Sequence, residues 1–394
     1  MNNPTTTNLI TSLHASEYQT VLAITGGGSQ AIGRLLEVPG GSRTVLEAIV
    51  PYASAALTDW LGGAAEQSCS AQTARAMAMA SWMRARSLSP ETDPRQLVGV
   101  GATASLVSDR PKRGDHRVHV AVQTATSTTV TSLVLAKGER DRIAEESLAA
   151  DLILLSLATE CKLDTMDAPS RFAQLLKPTE QTTFSQQQAE ASWTDLLLGK
   201  RQYVSYPDSS QPQAIFPGSF NPLHTGHRHI ASIAAKRLAC PVAYELSITN
   251  VEKPPLDFVE IEERVSGLRG ETASESLDSE TLVLTDAPTF RAKAVLFPGC
   301  TFVVGADTIA RIADPKYYSG EAGSFDAAIE LIAEQGCRFL VFGRELGGRF
   351  RTLSDIELPP ALQKLCDEVT ADEFREDVSS SEIRRVARLG EACV

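Results

Sequence analysis

The feature that most restricts the fold of this chain is the stretch of residues 214–227, AIFPGSFNPLHTGH. The apolar run at its start predicts a strand, the Pro- and Gly-bearing segment predicts a tight loop, and a helix is predicted to continue to Leu238. A strand that passes through such a loop into a helix directs free backbone N–H groups and the positive end of the helix dipole towards one point. His224 and His227 lie at that point, three residues apart on one helical face. The stretch therefore predicts a phosphate-binding site.

The rest of the second half repeats this alternation of strands and helices. Strand–helix repeats imply a parallel sheet with right-handed crossovers, in which ligands bind at the carboxyl ends of the strands. We therefore predict a Rossmann-like α/β domain over residues 212–394, with the histidine loop at that edge. The predicted strands are 213–216, 242–248, 281–285, 301–305 and 337–342, and the predicted helices are 226–239, 259–269, 289–296, 307–313, 324–335 and 379–389.

The first half predicts another α/β domain, over residues 1–165. Its apolar runs alternate with amphipathic ones, and a long amphipathic helix is predicted at 139–163. Residues 166–211 are rich in Gln, Ser, Thr and Pro, and we predict a linker there with one short docked helix. The predicted fold class is thus α/β with two α/β domains, of which the C-terminal one has the Rossmann-like parallel sheet.

Three stretches of the second half match, in order, the motifs of one superfamily. Residues 218–227 have the form G-x-F-N-P-x-H-x-G-H, residues 302–308 are a strand ending in G-A-D, and residues 378–384 are VSSSEIR. Together they resemble the nucleotidyltransferase superfamily with the H-x-G-H signature, and within it the nicotinamide mononucleotide adenylyltransferases. The resemblance implies adenylyl transfer from ATP to nicotinamide mononucleotide, or to its acid form, giving NAD and pyrophosphate.

The resemblance also implies a role for each matching residue. We expect His224, His227 and Arg384 to contact the triphosphate during transfer, and Asp307 to accept a hydrogen bond from a ribose hydroxyl, although a helix cap is an equally good interpretation of Asp307. Mg²⁺ is expected to be held mainly by the ATP phosphates. The expected nucleotide-binding residues are Gly218, Ser219, Phe220, Gly305, Asp307, Ser379 and Ser380.

The acceptor side of the predicted site is less specific. Lys253 is a candidate for the 5′-phosphate of the mononucleotide, and a solvated lysine is an equally good interpretation. Tyr317 lies near the position where the family has a tryptophan that stacks on the nicotinamide ring, so tyrosine would have to take that role here. This departure leaves other acceptors open, such as phosphopantetheine, as well as a CTP-dependent cytidylyl transfer. A non-catalytic nucleotide sensor is a further alternative.

The first half resembles the amidase domain of CinA-type competence-damage proteins, which are similar to nicotinamide mononucleotide deamidases. The residues that carry this resemblance are Thr25-Gly26-Gly27, Val38-Pro39-Gly40, Tyr52 and Gly99-Val100-Gly101. The position of the family's nucleophilic serine holds Ala23, and the lysine expected shortly after Tyr52 is missing. Amide hydrolysis needs an activated nucleophile and a base, so we predict a domain without amidase catalysis. The domain could instead serve as a scaffold, a dimerisation surface or a nucleotide-sensing pocket. Ser29 or Ser54 could also take the place of the missing nucleophilic serine.

Composition excludes some partners. The 394-residue chain has a formal net charge of −12 and a sequence pI of about 5.1, which argues against general nucleic-acid binding. Seven cysteines without a C-x-x-C pair indicate reduced thiols. The N-terminus has no basic, apolar leader and no run is long enough to span a bilayer. We expect a cytoplasmic homo-oligomer that binds ATP and a mononucleotide, with neither membrane nor nucleic acid as partner.

Overall fold

The structure is a computed structural model that describes residues 4–110, 113–165, 167–207, 211–250, 255–269, 281–315, 324–346 and 349–375. The chain divides into two compact units. The first comprises Met1–Leu198 and Glu252–Val259, and the second comprises Gly199–Val251 and Glu260–Val394. No helix among the described residues is long and apolar enough to cross a membrane.

The first unit is built on a mixed sheet whose strand order is β2-β1-β3-β4-β5-β6. The pairs β1/β2 and β1/β3 are parallel, and the remaining pairs are antiparallel. The strands are β1 (Gln19–Thr25), β2 (Val45–Ile49), β3 (Leu97–Ser105), β4 (His116–Gln123), β5 (Ser127–Leu135) and β6 (Gln181–Gln188). The helices are α1 (Pro4–Ala15), α2 (Gln30–Glu37), α3 (Gly41–Thr44), α4 (Ser54–Leu61), α5 (Ala71–Leu88), α6 (Arg142–Glu160), α7 (Ala168–Leu175) and α8 (Ala191–Leu197).

Both faces of this sheet are covered by helices. Side chains alternate along each strand, so Leu22 and Ile24 of β1 join the core under α1, α2 and α6, whereas Ala23 joins the core under α4 and α5. Helix α5 approaches β3 closely, because a Cβ atom on Gly99 or Gly101 would lie 2.2 Å from a backbone oxygen of the helix. Gly99 and Gly101, which carry part of the CinA resemblance, are therefore packing sites between two elements.

The second unit contains the predicted Rossmann-like sheet, with strand order β15-β12-β11-β8-β9-β10-β7. Its pairs are parallel except for β10/β7, which is antiparallel. The strands are β7 (Tyr203–Tyr206), β8 (Ala214–Pro217), β9 (Val242–Ser247), β10 (Leu282–Thr285), β11 (Thr301–Gly305), β12 (Arg338–Phe342) and β15 (Cys366–Val369), and a separate hairpin consists of β13 (Arg344–Leu346) and β14 (Arg349–Arg351). The helices are α9 (Thr225–Leu238), α10 (Phe258–Arg269), α11 (Phe290–Leu296), α12 (Ala306–Ile312), α13 (Phe325–Glu334) and α14 (Pro360–Gln363). The first two residues of α10 belong to the first unit.

Residues 166–211, for which the sequence predicts a linker, contain regular structure. Strand β6 pairs with β5 along its whole length, and β7 pairs with β10 in the other sheet. Both are edge strands, and the side chains of β6 are exposed except at Gln187. Strand β6 therefore has no buried face and no alternation of apolar and polar residues, so its composition resembles that of a linker.

Candidate active site at the carboxyl edge of the second sheet

The second sheet changes direction between β8 and β11. The chain builds outwards from β8 to β9 and β10, then crosses to the other side of β8 and continues with β11, β12 and β15. Because β8 and β11 are parallel neighbours, the loops after them leave the same edge and run to opposite sides. Ligands of open α/β sheets bind in the crevice at such a point. The histidine loop follows β8, and Gly305 and Asp307 follow β11.

The loop after β8 packs on a cluster of aromatic side chains. Phe220 is buried and has a φ of 44°, a left-handed conformation that is uncommon outside glycine. Its ring packs edge-on against Phe216, Tyr244 and His227, at centroid distances of 5.5, 5.2 and 5.1 Å. A Cβ atom on Gly218 would lie 2.5 Å from this ring, so only glycine fits there. Gly218, Ser219 and Phe220 thus form the turn that leads to the histidines.

The two histidines are stacked at the start of α9. His224 occupies the N-cap position, and its ring lies 3.7 Å from that of His227 between centroids, with an interplanar angle of 25°. The backbone N–H of His224 donates to Nδ1 of His227 at 3.3 Å. Because Nδ1 accepts, the neutral ring of His227 carries its hydrogen on Nε2. His227 can therefore donate a hydrogen bond through Nε2.

The surroundings of His227 oppose its protonation. Burial, followed by the neighbouring His224 and the positive charge of Arg344, lowers the pKa of His227 to about 3. The imidazole is thus neutral near pH 7. Any stabilisation that it gives to a phosphoryl group comes from a hydrogen bond rather than from a formal charge.

Asp307 lies in the first turn of α12, whose N-cap position is Gly305. Its Oδ1 atom folds back to within 2.6 Å of where a Cβ atom of Gly305 would lie, so the glycine makes room for the carboxylate. Arg311 and Arg344 approach the carboxylate at 3.5 and 3.9 Å. Oδ1 is buried, and no described group donates a hydrogen bond to it. The carboxylate is therefore placed to accept from a ligand hydroxyl.

Arg344 interacts with both loops, although none of the sequence motifs includes it. It stands two residues beyond Phe342, the partner of Gly305 in the β11/β12 ladder, so it reaches the same edge as Asp307. It also lowers the pKa of His227. The rule that ligands bind at the carboxyl edge points to this residue, because it lies two positions after the strand predicted at 337–342.

A buried ion pair lies behind the histidine loop. Lys293 of α11 donates to Glu245 of β9 at 2.6 Å, the Thr285 hydroxyl donates to the same oxygen, and all three residues are buried. The backbone oxygen of Glu245 accepts from the N–H of Gly218 at 3.0 Å. This pair anchors β9 and β10 to α11 and so supports the start of the loop. Its members are 48 residues apart, and nothing local in the sequence marks them.

The remaining predicted site residues lie outside the described residues. They are Lys253, Tyr317, Ser379, Ser380 and Arg384. The described part of the site thus brings together the histidine loop, Asp307 and Arg344. The convergence with the VSSSEIR segment stays a prediction.

In the first unit, a side chain of the protein itself binds the N-terminus of α2, the helix that follows the Gly-rich turn. The Glu146 carboxylate, from α6, accepts from the Ser29 hydroxyl at 3.0 Å and from the backbone N–H of Gln30 at 3.2 Å. An internal carboxylate thus takes the place of an external anion at this helix end. Ala23 is fully buried in β1.

Metal-binding residues do not cluster within the described ranges, where no group of three or more His, Cys, Asp and Glu side chains converges. The carboxylate at the crevice, Asp307, already faces two guanidinium groups. The described residues therefore do not form a protein cage for Mg²⁺. The cysteines that the structure describes form no disulfide bonds, and burial raises the pKa of Cys161 to about 12.

The candidate site lies in a part of the chain that matches a known protein family. Residues 215–386 match the profile of the cytidylyltransferase-like family. A protein of Caulobacter sp. (strain K31) named "Probable nicotinate-nucleotide adenylyltransferase" is 34% identical over 104 residues, which is 24% of this chain and 55% of that protein. The chain thus spans about half the length of the curated relative that it matches.

Solved structures of CinA-type proteins are similar to the N-terminal part of the chain. The competence/damage inducible protein CihA of Agrobacterium tumefaciens is 20% identical, with a TM-score of 0.33 over 41% of this chain and 98% of that one. A CinA superfamily protein of Escherichia coli is 18% identical, with a TM-score of 0.32 over 39% of this chain and 86% of that one. A further one, from Enterobacter cloacae, is 17% identical, with a TM-score of 0.33 over 41% and 95%.

Proposed function

We propose that this chain transfers the adenylyl group of ATP to nicotinate mononucleotide or nicotinamide mononucleotide. The observation that carries the proposal is the crevice between β8 and β11, where the stacked His224 and His227, an aspartate with a buried acceptor oxygen and an arginine meet at one edge. The matched cytidylyltransferase-like profile and the name of the Caulobacter relative support a nucleotidyltransferase of this kind.

The proposed reaction needs alignment and charge stabilisation rather than a protein nucleophile. A phosphate oxygen of the mononucleotide attacks the α-phosphorus of ATP, a new P–O bond forms, and the bond from the α-phosphorus to the bridging oxygen breaks, releasing pyrophosphate. His227 donates from Nε2 to a phosphoryl oxygen, and Asp307 accepts from a ribose hydroxyl. Arg344 interacts with both residues and adds positive charge. ATP enters as its Mg²⁺ complex, in which the phosphates and water hold the metal.

Replacement of His227 tests this mechanism. In His227→Ala we expect kcat for pyrophosphate release, with MgATP and nicotinate mononucleotide, to fall about 10²–10³-fold, the usual cost of removing one transition-state hydrogen-bond donor. His229→Ala, on the exposed side of the same helix, is the matched control and is expected to keep wild-type turnover. Wild-type turnover in His227→Ala would reject the mechanism.

Product identification tests the donor and the acceptor. Mass spectrometry of reactions containing MgATP or MgCTP, with nicotinate mononucleotide, nicotinamide mononucleotide or phosphopantetheine, is expected to give a dinucleotide only from ATP and a pyridine mononucleotide. A cytidylyl product would favour the alternative suggested by the name of the matched family. Tight nucleotide binding without any product would favour a sensor.

We also propose that the first unit lacks amidase activity. Ala23 stands where the CinA-type nucleophile is expected, and the Ser29 hydroxyl is engaged by Glu146. Deamidation of nicotinamide mononucleotide by the purified chain would contradict this.

The proposal of a homo-oligomer can be tested separately, by measuring the molar mass of the chain with analytical ultracentrifugation.

A further inference from the structure

A two-stranded hairpin next to the crevice presents arginines on one face. In the register of β13 and β14, Arg344 lies directly opposite Arg351, and Leu346 lies opposite Arg349. Directly opposed residues and those two positions apart share a face of an antiparallel pair, so Arg344, Arg349 and Arg351 lie on the same face. Phe350 lies on the other face, against Gly343, whose Cβ atom would be 2.5 Å from its ring. This tight packing fixes the hairpin directly against the end of β12.

This arginine face is not explained by the stability of the hairpin. Like charges directly opposite each other across an antiparallel pair are destabilising. Among the described residues, only Asp307 forms an ion pair with any of the three arginines, and its distance to Arg344 is 3.9 Å. Arg349 and Arg351 are exposed. The chain as a whole is strongly acidic, with a net charge of −12, so three arginines together are a local exception.

The position of the face relates it to the crevice. Its first member, Arg344, is close enough to His227 to lower the pKa of that imidazole. The face therefore begins at the phosphate-binding end of the crevice and continues along the hairpin to Arg351 and Arg349. The Phe350 side of the hairpin is also held, by the guanidinium of Arg375 at 5.4 Å from the ring centroid.

We infer that the face formed by Arg344, Arg349 and Arg351 binds the pyrophosphate portion of the nucleoside triphosphate and holds it as it leaves. Guanidinium groups bind phosphoryl oxygens bidentately. Directly opposed strand positions place the Cβ atoms of Arg344 and Arg351 about 5 Å apart, so both long side chains can reach the two linked phosphates of one diphosphate. A diphosphate also offsets the repulsion between Arg344 and Arg351. The inference rests on the proposed function for the identity of the anion.

Binding of inorganic pyrophosphate to the full-length chain tests this subsite without any turnover. We expect calorimetry to give an affinity that falls about tenfold in Arg351→Gln and again in Arg351→Gln/Arg349→Gln. The matched control is Arg338→Gln, which removes the same charge at the amino end of β12, where Arg338 pairs with Asp367 at 3.2 Å. That control is expected to bind pyrophosphate as the wild type does. Circular dichroism establishes that each variant is folded.

Three results would overturn the inference. They are a wild-type chain that does not bind pyrophosphate, an equal loss of affinity in Arg351→Gln and Arg338→Gln, and a loss of nicotinate mononucleotide affinity in Arg351→Gln with unchanged pyrophosphate affinity. The last result would assign the face to the acceptor phosphate. Pyrophosphate binding that depends on Arg351, in a chain that forms no adenylylated product, would retain the subsite and reject the proposed function.

Discussion

At the scale of single residues, His227 illustrates how its neighbours fix the protonation state of a side chain. Its Nδ1 accepts from the backbone of His224, its ring is stacked, and Arg344 adds positive charge nearby. Burial disfavours the imidazolium form most, and the neighbouring His224 and Arg344 disfavour it further. The two histidines are apparent in the sequence, but the neutral form and its tautomer follow from the three-dimensional arrangement.

The predicted consequence is a pH dependence of stability. Because the folded pKa of His227 is about 3, below its ordinary value of 6.5, the unfolded chain binds a proton between those values that the folded chain does not. This contribution is fully present above pH 6.5 and is lost as the pH falls towards 3. We expect the free energy of unfolding to fall less steeply over this window in His227→Gln than in the wild type. An NMR titration in which the His227 ring, identified with that variant, titrates above pH 6 would contradict the prediction.

At the scale of elements, the contact between α5 and β3 depends on the absence of side chains. Gly99 and Gly101 point towards the helix backbone, and Trp82 of α5 is completely buried beside them. Larger residues at these positions would hold the helix away from the sheet and open the core that α5 shares with β1 and α4. The short distance between the two backbones is therefore encoded by glycine.

Replacement of one of these glycines is expected to be destabilising. A Cβ atom in Gly101→Ala would lie 2.2 Å from the Ala74 oxygen and 2.4 Å from the Ala78 nitrogen, so the helix must shift, at a cost of about 1–3 kcal/mol or more. The control is Gly33→Ala in α2, where nothing lies within 4 Å of the new atom and a gain of about 0.5–1 kcal/mol is expected. Urea denaturation measures both. Equal stability of the two variants would refute the close packing.

At the scale of the whole molecule, the compact units do not follow the sequence boundaries. Residues 252–259 belong to the first unit, although they lie within the half of the sequence assigned to the nucleotidyltransferase-like domain. Asp257 pairs with Arg75 at 3.0 Å and is almost completely buried, the backbone of Phe258 donates to the Thr128 hydroxyl, and the ring of Phe258 stacks on Trp193. The first unit is thus completed by a segment from the second half.

This arrangement predicts that a substitution in the second half destabilises the first unit. Asp257→Ala removes an ion pair in which both side chains are largely buried, so we expect a loss of about 3–5 kcal/mol in the unfolding followed by tryptophan fluorescence. That signal reports the first unit, because Trp60, Trp82 and Trp193 all belong to it. Asp286→Ala, which removes an exposed carboxylate bonded to Thr249, is the control and should leave the transition unchanged. An unshifted transition in Asp257→Ala would exclude the segment from the first unit.

Several sequence predictions are confirmed. The α/β fold class and the Rossmann-type domain follow from the strand–helix alternation, and the nucleotidyltransferase resemblance, drawn from three short motifs, agrees with the family match over 215–386. The sequence did not indicate β6, because an exposed edge strand lacks a buried face. It did not indicate β7 or the β13–β14 hairpin either, because strands of three or four residues are too short for a periodic signal. The ligand roles of individual residues stay predictions.

The sequence by itself determined which residues form the strand–loop–helix with its paired histidines, because backbone preferences and the period of apolar residues act over short distances. Only the tertiary structure decided that Arg344 interacts with both His227 and Asp307, that Arg351 lies opposite Arg344, and that Lys293 is buried against Glu245. These contacts join residues from different strands and helices. Their geometry depends on the spatial order of the strands in the sheet, and no local pattern in the chain specifies that order.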